Sequence, residues 1–130
     1  MIVIDASAAV ELLLHTDKGE RAAARIADPM CPLYAPHVID LEIAHAARGL
    51  MRGGLLTRER GALLLADLRA LDLERCAHDV LLPRIWALAG HLTAYDAAYV
   101  ALSEALDAPL LTADARLARS EGHRARIVLV

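Results

Sequence analysis

The most constraining feature of the sequence is the alternation of short apolar runs with longer segments of helical periodicity. The runs at residues 2–4, 109–111 and 127–130 are short, rich in branched aliphatic side chains, and predict buried strands. Helical segments separate them, and parallel strand pairs need such long crossovers. The sequence therefore predicts an α/β fold in which helices flank a mainly parallel central sheet.

Turn and capping residues divide the rest of the chain into elements. Asp28-Pro29 ends one predicted helix, Gly53-Gly54 ends a second, and Thr57 and Thr93 each begin another. With no repeat or linker in 130 residues, we expect one domain over residues 1–130. Beyond a first helix after Asp5 and one after Thr57, the predicted helices cover residues 17–27, 37–51, 79–89, 94–106 and 113–120, and further extended segments cover 32–36 and 71–76.

Composition narrows the class of protein. The longest apolar run covers residues 97–102, whereas a membrane helix needs about 20 residues. The first residues show no signal-peptide pattern, so a cytoplasmic protein without membrane association is expected. Cys31 and Cys76 are far apart and give no support to a thiolate zinc site. The formal net charge of −3 disfavours a simple nucleic-acid-binding module, but is compatible with a nuclease whose acidic centre is offset by bound cations.

Four acidic residues occupy positions where such a fold places a site. Asp5 directly follows the first strand, and Asp114 follows the strand at residues 109–111. Asp96 lies in the first turn of a helix, and Glu42 lies inside the long helix that precedes Gly53. Parallel sheets bind ligands beyond the carboxyl ends of their strands, so we expect these side chains to lie near one another.

Each acid also has a structural explanation. Asp5 and Asp114 suit helix starts, and Thr93 with Asp96 resembles a capping box. Glu42 is different, because its helical neighbours are mostly apolar and neither capping nor the helix dipole accounts for it. A carboxylate on such a face is costly unless it is paired or binds a metal. Four converging carboxylates would repel one another, and Mg²⁺ or Mn²⁺, which prefer oxygen ligands, would remove that conflict.

The order and spacing of these motifs resemble those of PIN-domain proteins, and more narrowly the VapC toxins of bacterial VapBC toxin–antitoxin pairs. The resemblance extends from end to end, and the third of its four motifs is the most specific. The motifs are Ile-Val-Ile-Asp5-Ala-Ser7-Ala, Leu41-Glu42-Ile43, Leu92-Thr93-Ala-Tyr95-Asp96-Ala-Ala-Tyr99-Val-Ala-Leu102 and Leu110-Leu111-Thr112-Ala-Asp114-Ala-Arg-Leu117.

The resemblance implies a PIN-like three-layer sandwich and an endoribonuclease that depends on Mg²⁺ or Mn²⁺. It implies RNA as substrate, a VapB-type antitoxin whose C-terminal tail covers the active site, and a homodimer. By matching positions, Asp5, Glu42, Asp96 and Asp114 take the catalytic, metal-binding roles. Ser7 and Thr112 match small hydroxyl positions near the site, although helix capping explains them at least as well.

Several alternatives stay open. A non-catalytic PIN-like module that binds RNA or protein is one, and a phosphatase using Asp5 as nucleophile is another, although Ser7 stands where such enzymes want a second Asp. Glu42-x-x-His45 is only half of a di-iron motif, and packing or hydrogen bonding is the simpler role for His45. Arg84 is a candidate contact for RNA phosphate or for a partner carboxylate, with surface solvation as the alternative.

Overall fold

The computed structural model describes all residues from Met1 to Val130 and is built on a five-stranded sheet. The strand order is β3-β2-β1-β4-β5, and every neighbouring pair is parallel. The strands are β1 (Ile2–Ile4), β2 (Leu33–Pro36), β3 (Leu73–Cys76), β4 (Leu110–Thr112) and β5 (Ile127–Leu129).

Seven α-helices connect and cover the strands. They are α1 (Ala6–Leu13), α2 (Asp17–Ile26), α3 (Ile39–Arg52), α4 (Arg58–Ala70), α5 (Leu82–Ala87), α6 (Ala94–Leu106) and α7 (Ala115–Ala118). Because crossovers between parallel strands are right-handed, the reversal of strand order places α1 to α4 on one face and α5 to α7 on the other. The predicted sandwich of three layers is confirmed, and its sheet is wholly parallel.

The core lies on both faces of the sheet, around the inner strands β1 and β4. Val3 and Ile4 of β1 and Leu110 of β4 are fully buried. Helix α6 is buried without interruption from Ala97 to Ser103, and that stretch contains no charged residue. Small side chains there let the helix lie close to the sheet, and this packing fixes its first turn at the carboxyl edge of the strands.

Some predicted boundaries were wrong, and each difference has a local cause. Helix α3 begins at Ile39 rather than 37, because the His37 amide still bonds to the Cys76 carbonyl and extends the β2–β3 ladder. The predicted helix at 79–89 is a 3₁₀ turn, Asp79–Leu81, followed by α5. Pro83 accounts for that break, because proline fits a first helical turn and not a helix interior.

Candidate metal centre

Asp5 is the buried centre of the site. It follows β1 and caps α1, where its Oδ1 atom accepts hydrogen bonds from the Ala8 amide at 2.9 Å and the Ser7 hydroxyl at 2.7 Å. Its Oδ2 atom accepts one from the Thr112 hydroxyl at 2.6 Å. Burial raises the pKa of Asp5, with a smaller contribution from the charge of Asp96, while the three donors oppose the rise. A carboxylate has about four acceptor sites, so capacity for one cation remains.

Ser7 and Thr112 support Asp5 and do not cap helices. Besides donating to Asp5, the Ser7 hydroxyl accepts a hydrogen bond from the Ala113 amide at 2.9 Å and lies 3.2 Å from the Thr112 hydroxyl. The Thr112 hydroxyl also accepts from the Asp114 amide at 3.0 Å. The capping explanation for both hydroxyls is therefore wrong, and together they connect the end of β4 to the end of β1.

Glu42 reaches the same edge from the first turn of α3. Its Oε2 atom accepts a hydrogen bond of 2.5 Å from the Tyr99 hydroxyl, which belongs to α6 on the opposite face of the sheet. Burial raises the pKa of Glu42, and the charges of Asp5 and Asp96 raise it further, against the opposing effect of the Tyr99 hydroxyl. The expectation that the helix dipole does not account for Glu42 was wrong, because α3 begins at Ile39 and Glu42 lies in its first turn, where the dipole favours a carboxylate. Its side chain also has one strong donor and two acidic neighbours.

Asp96 and Asp114 approach each other from α6 and the start of α7. Thr93 caps α6 through the Asp96 amide, and Asp114 caps α7 by accepting from the Arg116 amide at 2.7 Å. Burial acts to raise the pKa of Asp114, but the amides of Arg116 and Leu117 and the Arg116 guanidinium outweigh it and lower the pKa. The capping explanations are confirmed for Asp5 and Asp114, and capping orients both carboxylates at the sheet edge.

The donor set fits a hydrated divalent cation. No group of three or more His, Cys, Asp or Glu side chains forms a ready-made ligand shell for one ion. That arrangement does not suit zinc, which takes three or four protein ligands. Mg²⁺ keeps several waters and is usually held by one or two carboxylates, so two of the three side chains Asp5, Asp96 and Asp114 would be enough to hold it.

Arg84 does not belong to this site. Its Nε and Nη2 atoms donate to both carboxylate oxygens of Glu104 at 2.7 and 2.9 Å. Glu104 lies near the end of α6, about 12 Å along the helix axis from Asp96. Arg84 therefore neither faces RNA or a partner nor is simply solvated. It forms a bidentate ion pair with Glu104 that joins α5 to α6.

Two other acidic or basic side chains of α3 also lie outside the cluster. Asp40, in the first turn of α3, forms an ion pair of 2.8 Å with Arg75. His45 is exposed and makes no hydrogen bond to Glu42, so the expectation that it is packed or hydrogen-bonded was wrong. It lines a groove of about 740 Å³ between α1 and α3.

Sequence reasoning gave no role to two side chains of the site, Tyr99 and Arg116. Tyr99 lies three residues after Asp96, which is the spacing that puts two side chains on one helical face. Arg116 lies two residues after Asp114, and its Nη2 atom is 3.3 Å from Asp114 and 3.4 Å from Asp96. The spacing of Tyr99 was a usable signal, whereas nothing in the sequence indicated that Arg116 reaches α6.

Comparison with solved structures identifies the same fold. PAE2754 from Pyrobaculum aerophilum superposes with a TM-score of 0.68 at 23 % identity, covering 95 % of this chain and 89 % of that chain. VapC20 of Mycobacterium tuberculosis, described as a toxin that cleaves the sarcin–ricin loop, superposes with a TM-score of 0.64 at 16 % identity. That match covers 91 % of this chain and 93 % of VapC20.

Sequence comparison places the chain more narrowly. The PIN domain family model matches residues 2–122. Ribonuclease VapC12 of Mycobacterium tuberculosis is 39 % identical over 130 residues, covering 100 % of this chain and 99 % of the relative. Ribonuclease VapC9 of the same organism is 42 % identical over 119 residues, covering 90 % and 88 %. The chain belongs to the PIN-domain family and, within it, is a homologue of the VapC ribonucleases.

Proposed function

We propose that this protein is a metal-dependent endoribonuclease and the toxin of a type II toxin–antitoxin pair. The observation that carries the proposal is the buried Asp5 carboxylate, held by three donors, with the charge of Asp96 raising the pKa of Asp5 and the charges of Asp5 and Asp96 raising the pKa of Glu42. A protein that only bound RNA would have no use for mutually repelling acids at this edge. The named ribonuclease relatives supply the substrate class.

The roles of the residues follow from their positions. Asp5, Asp96 and Asp114 would hold Mg²⁺ or Mn²⁺, and the cation would supply an acidified water and stabilise charge on the leaving oxygen during phosphodiester hydrolysis. Ser7 and Thr112 hold the Asp5 carboxylate in one orientation. Glu42, which accepts a hydrogen bond from the Tyr99 hydroxyl, would be the general base that accepts a proton from water. The expected products are a 5′-phosphate and a 3′-hydroxyl.

The nucleophilic role of Asp5 in a phosphatase has less support. All three donors stabilise its negative charge and occupy both oxygens, and the residue is only 5 % exposed. Ser7, which stands where such a phosphatase has its second Asp, instead donates its hydroxyl to Asp5, so the group that would act on the leaving oxygen is missing.

The test is cleavage of a pool of transfer and ribosomal RNA by the purified chain without antitoxin. Reactions contain Mn²⁺, Mg²⁺ or EDTA and use wild type beside Asp96→Asn. Asp107→Asn is the matched control, because it makes the same replacement of a carboxylate by an amide at the other end of α6. The backbone φ of Asp107 is +48°, a conformation that Asn adopts as readily as Asp.

Discrete fragments that require metal, disappear in Asp96→Asn and persist in Asp107→Asn are the expected result. Equal RNA binding by all proteins without cleavage in any buffer would favour the non-catalytic module. Release of phosphate from a monoester without fragments would favour the phosphatase.

The groove between α1 and α3 is the proposed docking surface for the antitoxin tail. It runs beside Glu42 and is lined mostly by apolar side chains, including Val10, Val38 and the 73 % exposed Leu41. A tail that combines apolar residues with one cationic side chain would fill the groove and neutralise the acids. Leu41→Asp should weaken copurification of the antitoxin while Leu55→Asp, at an equally exposed leucine outside the groove, should not.

A homodimer and a cytoplasmic location complete the proposal. Leu82 and Trp86 are exposed one turn apart on α5, and Val80 is exposed just before them. Large exposed apolar side chains grouped in this way are typical of subunit contacts. Trp86→Glu is expected to halve the mass measured by light scattering. None of the helices has the length and apolar character required to cross a bilayer.

A further inference from the structure

Arg116 places one positive charge between two carboxylates of the proposed metal centre. A single nitrogen, Nη2, lies 3.4 Å from Asp96 Oδ2 and 3.3 Å from Asp114 Oδ2. The two acids belong to different parts of the fold, because Asp96 lies in the first turn of α6 and Asp114 caps α7. Arg116 is the basic side chain that contacts both of them, so it offsets their repulsion when no metal ion is bound.

The contact of Arg116 with the two carboxylates is exposed and weak, so a competing cation can displace it. The Arg116 side chain is 73 % exposed, compared with 22 % for Asp96 and 32 % for Asp114. Both distances are long for charge-assisted hydrogen bonds, and exposed pairs of this kind contribute little to stability. A small cavity of about 200 Å³, lined by His91, Thr93 and Ser120 among others, adjoins the guanidinium and gives it room to move.

We propose that Arg116 is a resident counter-ion that competes with the divalent cation for Asp96 and Asp114. The inference rests on the proposed metal-dependent function and adds a residue that sets the affinity for metal. A cation that approaches these two oxygens meets the positive charge of Arg116 and must displace it. Metal binding therefore costs the energy of that contact and of the charge repulsion, and both costs disappear when the charge is removed.

The sign of the effect separates this role from the obvious alternative. If Arg116 instead positions the two carboxylates for metal binding, removing it should weaken the affinity. If it competes with the metal, removing it should strengthen the affinity, by roughly three- to tenfold for one partly screened charge. Arg116→Lys keeps the charge, so its affinity should stay within about twofold of wild type.

The experiment titrates Mn²⁺ alone into the EDTA-treated and desalted full chain and measures free Mn²⁺ by electron paramagnetic resonance. The proteins are wild type, Arg116→Gln, Arg116→Lys and Asp96→Asn. The matched control is Arg119→Gln, which removes the same charge from an exposed arginine three residues further on that makes no ion pair. Thermal unfolding in EDTA confirms that each variant folds.

Tighter Mn²⁺ binding in Arg116→Gln, with smaller changes in Arg116→Lys and Arg119→Gln, is the expected result. Unchanged or weaker binding in Arg116→Gln, or equal tightening in Arg119→Gln, overturns the inference while leaving the metal centre intact. If Arg116→Gln does not fold, Arg116→Lys decides, because tightening with the charge retained contradicts competition. Absence of Mn²⁺ binding to wild type would overturn both this inference and the metal-dependent function.

Discussion

The hydroxyl of Thr112 offers the sharpest test of how the site is held together. The side chain is fully buried and makes two hydrogen bonds, as donor to Asp5 at 2.6 Å and as acceptor from the Asp114 amide at 3.0 Å. Thr112→Val replaces the hydroxyl by a methyl group of similar size, so it removes both bonds without leaving a cavity. Thr112→Ser keeps the hydroxyl and removes only the methyl group.

The magnitude follows from the charged acceptor. A hydrogen bond to a charged group contributes about 1.5–3 kcal/mol. The Asp114 amide, left without its hydrogen-bond acceptor, adds to that cost, whereas burial of the new methyl group offsets part of it. We therefore expect a net loss of about 2–3 kcal/mol in the free energy of unfolding. For a chain of this size each kcal/mol corresponds to a change of roughly 4 °C in Tm, so Tm should fall by about 8–12 °C.

The assay is thermal unfolding in EDTA, followed by circular dichroism at pH 7 and again near pH 4.5. The Thr112 hydroxyl favours the ionised form of Asp5, so its removal raises the pKa of Asp5 further. The difference between wild type and Thr112→Val should therefore be larger at pH 7 than at acidic pH. A Tm for Thr112→Val within about 2 °C of wild type, or a larger loss for Thr112→Ser, would refute the reasoning.

Three further changes have defined outcomes. Asp5→Asn should abolish cleavage yet raise the Tm of the metal-free protein at neutral pH. Burial raises the pKa of Asp5, so the stability of the wild type falls as pH rises through that pKa. The Asn side chain does not titrate, so the variant avoids this loss. Tyr99→Phe should lower the free energy of unfolding by about 1–3 kcal/mol and reduce turnover, because Glu42 loses its donor; urea unfolding and initial rates check both. Glu104→Gln should lower stability by about 1–2 kcal/mol at pH 7 without changing the rate per folded molecule. The hydrogen bond from Arg84 lowers the pKa of Glu104 to about 2, so this difference should vanish as pH falls from about 4 toward that value in a pH series of unfolding curves.

The sequence was sufficient for the architecture and for the placement of the acids. Parallel strands linked by helices leave few topologies, and the apolar runs at β1, β4 and β5 are long enough to recognise. Asp5 directly follows β1 and Asp114 lies two residues after β4, so their position at one edge of the sheet is a consequence of topology.

The partners of the charged side chains could not be predicted. Whether Arg84 faces RNA, solvent or Glu104 depends on the angle between α5 and α6, which local patterns do not encode. The same applies to Arg116, whose contact with Asp96 spans 20 positions of the sequence. The predicted capping by Ser7 and Thr112 was wrong because Asp5 and Asp114 occupy the cap positions of α1 and α7, which leaves both hydroxyls free to donate to the buried Asp5 carboxylate.

We propose that Asp5, Asp96 and Asp114 hold the divalent cation that RNA cleavage requires. The most direct measurement is the anomalous difference density of crystals equilibrated with MnCl₂, recorded above and below the manganese absorption edge. We expect a peak within coordination distance of Asp5 and of at least one of the other two carboxylates, with the Arg116 guanidinium moved away from them. Absence of a peak at this edge of the sheet, at a Mn²⁺ concentration that supports cleavage, would show that these carboxylates do not hold the catalytic cation.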